Sequence, residues 1–158
     1  MALFLSTYTN KVDKKGRVSV PASFRAAIGG QNFHGIVVFR SYRLPAIEAF
    51  SIDRMERLSI SLDALDLFSD AQDDLASTIF ADSRPLPFDS EGRILLPKEF
   101  ANYANIKDEA AFVGRGATFQ VWAPKAFQSH QTKARKRALD DGVTLRLNPP
   151  DKPGSKQS

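Results

Sequence analysis

The chain has 158 residues, 42% of them apolar and 25% charged, which is enough to bury a core as one domain or two small ones. It has no cysteine, and its two histidines, His34 and His130, lie far apart without metal-ligand spacing; this excludes a disulfide framework and a thiolate site and leaves no metal or other cofactor expected. The net charge of +4 is placed rather than scattered: residues 1–50 carry +5, 51–82 carry −6 and 83–158 carry +5. The longest apolar run is far below a membrane span, and the N-terminus lacks a basic region and a cleavage site, so the expected location is the cytoplasm, with no membrane partner.

Taken in order, residues 5–12 (LSTYTNKV) read as a strand. A polar turn follows at Asp13–Gly16, then a short apolar strand, Val18–Val20. A helix over about Pro21–Ile28 is stopped by Gly29-Gly30. Ile36–Phe39 (IVVF) reads as a buried strand, Arg40–Arg43 as a turn, and Pro45–Phe50 as its partner strand, with the proline first, where no ladder donor is lost. Ser51 can cap a helix over Ile52 to about Ile60. Leu65, Phe68, Ala71, Leu75 and Ile79 then recur at three- and four-residue steps, which predicts an amphipathic helix of about four turns. Its other face carries Asp66, Asp70, Asp73 and Asp74, a solvated face or one that meets a basic surface of another subunit.

The second half retraces the first. Arg84–Phe88 is a strand candidate, a second turn and apolar strand follow, and a helix spans about Lys98–Ala104. Ala110–Val113 and Thr118–Trp122 read as a hairpin around Gly114-Arg115-Gly116. Pro124 starts a final helix to about Leu139, and the tail after Asn148 (PPDKPGSKQS) has a disordered composition.

The two halves share a twelve-residue motif. Asp13–Phe24 (DKKGRVSVPASF) and Asp89–Phe100 (DSEGRILLPKEF) match without a gap at an offset of 76, with five identities and two conservative apolar exchanges. This marks an internal duplication. Each residue type has a physical task. Aspartate opens the turn by accepting from backbone N–H groups two residues on. Glycine supplies a positive φ, proline suits the first turn of a helix, and the phenylalanine falls on that helix's inner face.

With VDKKGRVSVP at 12–21, FDSEGRILLP at 88–97 and FQVWAPKAF at 119–127, the chain resembles the MraZ family, built from two tandem units of the SpoVT–AbrB type. The similarity covers roughly residues 5–128. It implies an α+β fold in which two AbrB-like half-units form a double-split β-barrel with flanking helices: repeat 1 at 5–52, connecting helices at 53–81, repeat 2 at 82–126, then a C-terminal helix and tail at 127–158. It also implies a nucleoid-associated transcriptional regulator that assembles as a ring-shaped homo-oligomer. Its partner would be double-stranded DNA, the direct repeats of its own promoter ahead of the division and cell-wall gene cluster. The alternative is an antitoxin-like or other protein-interaction module of AbrB type, for which the short tail offers few apolar anchors.

The two motif turns are chemically unequal. Positions 11–17 hold four cations and one acid, whereas 87–93 hold one cation and two acids. Phosphate neutralisation dominates DNA affinity, so Lys11, Lys14, Lys15 and Arg17 are the candidate DNA contacts. Arg17 is the candidate for a guanine edge and the lysines for the backbone. The plainer reading of Lys14 and Lys15 is solvated turn residues. Arg93, stripped of basic neighbours, reads as a structural partner of Asp89 or of an acid on a neighbouring subunit. Arg40, Arg43 and Arg93 are secondary DNA-binding candidates, as is the KARKR segment, Lys133–Arg137. Asp13 and Asp89 read as turn-formers, and Trp122 with Phe112, Phe119 and Phe127 as core. Without a cysteine, a histidine paired with an acid, a phosphate loop or metal spacing, no enzyme is expected.

Overall fold

A computed structural model describes residues 2–148, so the expected disorder beyond Asn148 lies outside the described residues. Repeat 1 forms β1 (Thr7–Lys11), β2 (Arg17–Ser19), α1 (Ala22–Ala27), β3 (Gly35–Arg40) and β4 (Ile47–Phe50). The connector forms α2 (Ile52–Asp63) and α3 (Asp70–Leu75), the latter running into a π-helical turn, Ala76–Phe80. Repeat 2 forms β5 (Arg84–Pro87), β6 (Arg93–Leu95), α4 (Lys98–Tyr103), β7 (Glu109–Gly114) and β8 (Phe119–Trp122), and α5 (Pro124–Asp141) follows.

The strands make a six-stranded antiparallel sheet in the order β1-β7-β8-β4-β3-β5 and a two-stranded ladder of β2 with β6. Exchanging β1 with β5, β2 with β6, β3 with β7 and β4 with β8 leaves the set of pairings unchanged. Only the β3–β4 and β7–β8 hairpins lie within a repeat; β1–β7, β3–β5, β4–β8 and β2–β6 all cross between repeats. The fold is therefore α+β, two tandem half-units interleaved about an approximate twofold. Val18 and Ile94, one of the conservative exchanges of the motif, face each other at its centre. The prolines of β5 fit this arrangement, because β5 is an edge strand and needs fewer ladder donors.

Alternation along the strands sends side chains to two faces. Ile36 and Val38 of β3, and Ala110 and Phe112 of β7, enter one core with Phe4, Phe24, Phe100 and Phe119. Phe24 packs against Phe4 and Phe119 with ring centroids 5.3 and 4.9 Å apart. On the outer face, Val37 and Phe39 are covered by Met55 of α2, while Ala111, Val113 and Trp122 are covered by Phe127 of α5. The two repeats thus contribute to a single core and each carries a helix on its outer side.

One expected element is wrong. The four-turn helix over 65–79 is broken: α2 extends to Asp63, and Phe68 sits in a turn with φ +66 and 90% of its surface exposed. Helix starts again at Asp70, where the Ser69 hydroxyl accepts from the Gln72 N–H at 3.2 Å. The apolar period continued through Phe68, but a side-chain cap decided where the helix began.

Candidate nucleic-acid interface

Each motif folds into the same turn. In the first, the Gly16 N–H donates to the Asp13 carbonyl (3.0 Å), and Gly16 takes φ +87. One carboxylate oxygen of Asp13 accepts from the backbone N–H groups of Lys15 and Arg17, both at 2.9 Å. The other accepts from Arg17 Nε at 2.7 Å. The backbone N–H of Arg17, with its guanidinium and the Lys15 N–H, holds the Asp13 carboxyl below its ordinary value against the opposing effect of desolvation. In the second turn Asp89 accepts from the N–H groups of Glu91 and Arg93 (2.9 Å each) and from Arg93 Nε (2.8 Å). Its carboxyl is lowered too, chiefly by the Arg93 N–H. The aspartate clamp makes the turn, and the arginine completes the clamp.

The antiparallel β2–β6 ladder ties the two turns together, one at each end. The Val20 N–H donates to the Gly92 carbonyl (3.1 Å) and the Leu96 N–H to the Gly16 carbonyl (2.9 Å). Two turns with the same hydrogen bonding therefore carry different side chains. Lys14 and Lys15 are exposed on the first, Ser90 and Glu91 on the second. Glu91 lies 3.6 Å from Arg93, adding a second acid to that arginine. Lys14 and Lys15 have no ion-pair partner among the described residues. Lys11 is exposed at the end of β1, directly across from Glu109 of β7. Arg17 is half-buried, and beyond its Nε no further side-chain hydrogen bond is made among the described residues.

The remaining candidates sit elsewhere. Arg40 is bound by Asp82, whose carboxylate accepts from its backbone N–H (2.8 Å) and its guanidinium. Its guanidinium also lies over the Phe100 ring, 5.4 Å from the centroid. Arg43 is exposed in the β3–β4 turn and lines a cavity of about 440 Å³ with Arg115, Arg137, His130 and Glu48. The KARKR segment is on α5, the helix that covers the outer face of β7 and β8. His130 stacks on Trp122 at 4.8 Å, and burial, then Arg137, lowers its basicity. Among the described residues no cluster of His, Cys, Asp or Glu could hold a metal, and no helix is long and apolar enough to cross a membrane.

One residue escaped the sequence reading. Arg25 of α1 reaches across the twofold onto Gly92 of the second turn, anchored by a bond from its Nε to the Val20 carbonyl (3.1 Å). It places a cation against the turn that lacks lysines. Arg25 also borders an open cleft of about 460 Å³ with Tyr8, Asn10, Ser19 and Ser23. The only hint was negative: its counterpart in repeat 2 is Ala101.

The MraZ family model, described as antitoxin-like, matches residues 3–72 and 79–146 of the chain. The transcriptional regulator MraZ of Pelagibacter ubique is 48% identical over 144 residues, covering 91% of this chain and 93% of that protein. The proteins of the same name from Rickettsia canadensis and Rickettsia bellii are 42% and 41% identical, each over 92% of this chain and 98% of their own length.

Proposed function

The chain belongs to the MraZ family, and we propose that it is a transcriptional regulator that grips duplex DNA through the first motif turn. Lys14 and Lys15 contact phosphates, Lys11 assists, and Arg17 approaches a base edge. The observation that carries this reading is the inequality of two turns that make the same hydrogen bonds. One aspartate-clamped turn presents lysines that have no ion-pair partner among the described residues, while its twin presents Ser90 and Glu91.

Three or four phosphates per chain give weak binding at physiological salt, and linked copies raise effective concentration. We therefore read the active form as a homo-oligomer, a ring, that meets spaced direct repeats in its own promoter ahead of division and cell-wall genes, one turn per repeat, on the nucleoid.

The test is binding to the chain's own upstream DNA across a range of salt. The Lys14→Ala/Lys15→Ala protein is expected to bind more weakly and to lose about 1.8 from the log–log salt slope per bound chain, at about 0.9 per phosphate. An unchanged affinity and slope removes this turn from the interface. Probes with one and several repeats should differ steeply in affinity; equal binding contradicts the multivalent mode.

A further inference from the structure

The connector leaves an apolar groove open to solvent between α2 and the π-helical turn after α3. It is lined by Leu58, Leu62, Leu65, Leu75, Ile79 and Phe80 and encloses about 180 Å³. A groove of that size takes individual side chains. Beside its lining leucines stand Asp63, Asp66 and Asp74, all exposed and without an ion-pair partner among the described residues. Residues 51–82 together carry −6.

The complementary surface is on the same chain. At the end of α5, Gly142 takes φ +63 and turns the backbone out of the helix. Val143, Leu145 and Leu147 then alternate with Thr144, Arg146 and Asn148, 68%, 98% and 98% exposed respectively for the three apolar residues. Alternation of this kind gives an extended segment one apolar edge. Just before it, α5 exposes Lys133, Arg135 and Lys136, also unpaired among the described residues, and Leu139 is 81% exposed. Residues 124–148 hold six cations against two acids.

The approximate twofold separates these two surfaces. It exchanges α2, which follows β4 and covers β3, with α5, which follows β8 and covers β7. One wing of the outer face is acidic with an apolar groove; the other is basic with an apolar arm. None of Val143, Leu145 and Leu147 lines the groove of its own chain. Different, matching patches on one molecule associate head to tail, and each copy added offers the next groove.

We infer that the α2–α3 groove receives the C-terminal arm of a second copy, with Val143, Leu145 and Leu147 supplying the side chains that enter it and Lys133–Lys136 meeting its acidic rim. This rests on the self-association proposed above and names its contact.

Sedimentation velocity of the full chain and two charge-reversed forms tests it. The rim variant is Asp63→Lys/Asp66→Lys/Asp74→Lys, which avoids the first turn of α3, where lysine would oppose the helix dipole. The arm variant is Lys133→Glu/Arg135→Glu/Lys136→Glu. Each alone is expected to sediment as the single 17.5-kDa chain. Their equimolar mixture is expected to regain the wild-type size, because each reversed surface then meets a reversed partner; recovery also shows that both variants fold. Leu145→Asp/Leu147→Asp should dissociate as well, and its mixture with the rim variant should stop at a pair of chains, joined by the one wild-type arm and the one wild-type groove left. If wild type assembles while the reversed forms keep its size, or if mixing restores nothing, this contact is overturned and self-association stands. A wild type that is a single chain at micromolar concentration overturns both.

Discussion

Arg25 lies so close over Gly92 that a Cβ added to the glycine would sit 2.5 Å from the Arg25 Cζ. A helix of the first repeat thus depends on the absence of a side chain in the second repeat's turn. The mirror contact differs: a Cβ on Gly16 meets the Leu96 carbonyl oxygen at 3.1 Å, since Ala101 stands where Arg25 would be.

Gly92→Ala therefore carries two costs, the left-handed backbone (φ +76) and the displaced guanidinium. Gly30→Ala, at φ +91 with nothing within 4 Å, carries the backbone cost alone. That cost is roughly 1–2 kcal/mol. Urea unfolding should rank Gly92→Ala as clearly the less stable of the two; equal midpoints would show that Arg25 moves aside freely.

The carboxyls of Asp13 and Asp89 are both lowered, first by the backbone N–H of Arg17 and of Arg93 respectively. A carboxyl lowered in the fold contributes stability that is complete above its unfolded value, about 3.9, and is lost as pH falls through the folded value. Amide resonances of Lys15, Arg17, Glu91 and Arg93 should hold their positions from neutral pH down past that unfolded value and shift together only at lower pH. Asp13→Ala should abolish the response at Lys15 and Arg17 alone.

Glu48 responds in the opposite sense. Burial raises its carboxyl, although Gln120 donates a hydrogen bond to it and Arg115 lies nearby. A raised group favours the fold most below its unfolded value, about 4.3, and loses that contribution as pH rises through the folded value. Glu48→Gln keeps an acceptor for Gln120, whose own oxygen accepts from Trp122 Nε1 at 2.8 Å. The variant should melt at a higher temperature than wild type at pH 7, with the difference shrinking as pH falls toward 4.

The second turn has the geometry to carry lysines. Ser90→Lys/Glu91→Lys should raise affinity for the upstream DNA and add about 1.8 to the salt slope per bound chain, at about 0.9 per phosphate. No change would mean that this turn faces away from the nucleic acid.

Much of the fold was legible because the motif is written twice. Aspartate, glycine and proline in register specify a turn and a helix start through local bonds, and those formed as read. The interruption at Phe68 was missed because hydrophobic spacing is blind to backbone sign. Ser69 and Gln72 did carry the signal, as a cap followed three residues on by an amide side chain. Arg25 was not legible: its contact joins positions 67 apart, across a symmetry that its own sequence breaks. The apolar arm at Val143–Leu147 could be read from alternation alone, but only its exposure shows that nothing within the described chain covers it.

The cross-pairing of β1 with β7 and of β3 with β5 also governs how the protein is made. When Phe50 leaves the ribosome, β1 and one edge of β3 have no partner, and β5 begins more than thirty residues further along the chain. At about 5–20 residues per second those edges wait roughly 2–7 s for Arg84 and longer for Glu109. Nascent chains on neighbouring ribosomes of one message hold the same unpaired edges at the same moment, so polysome spacing becomes a variable in the yield of native protein.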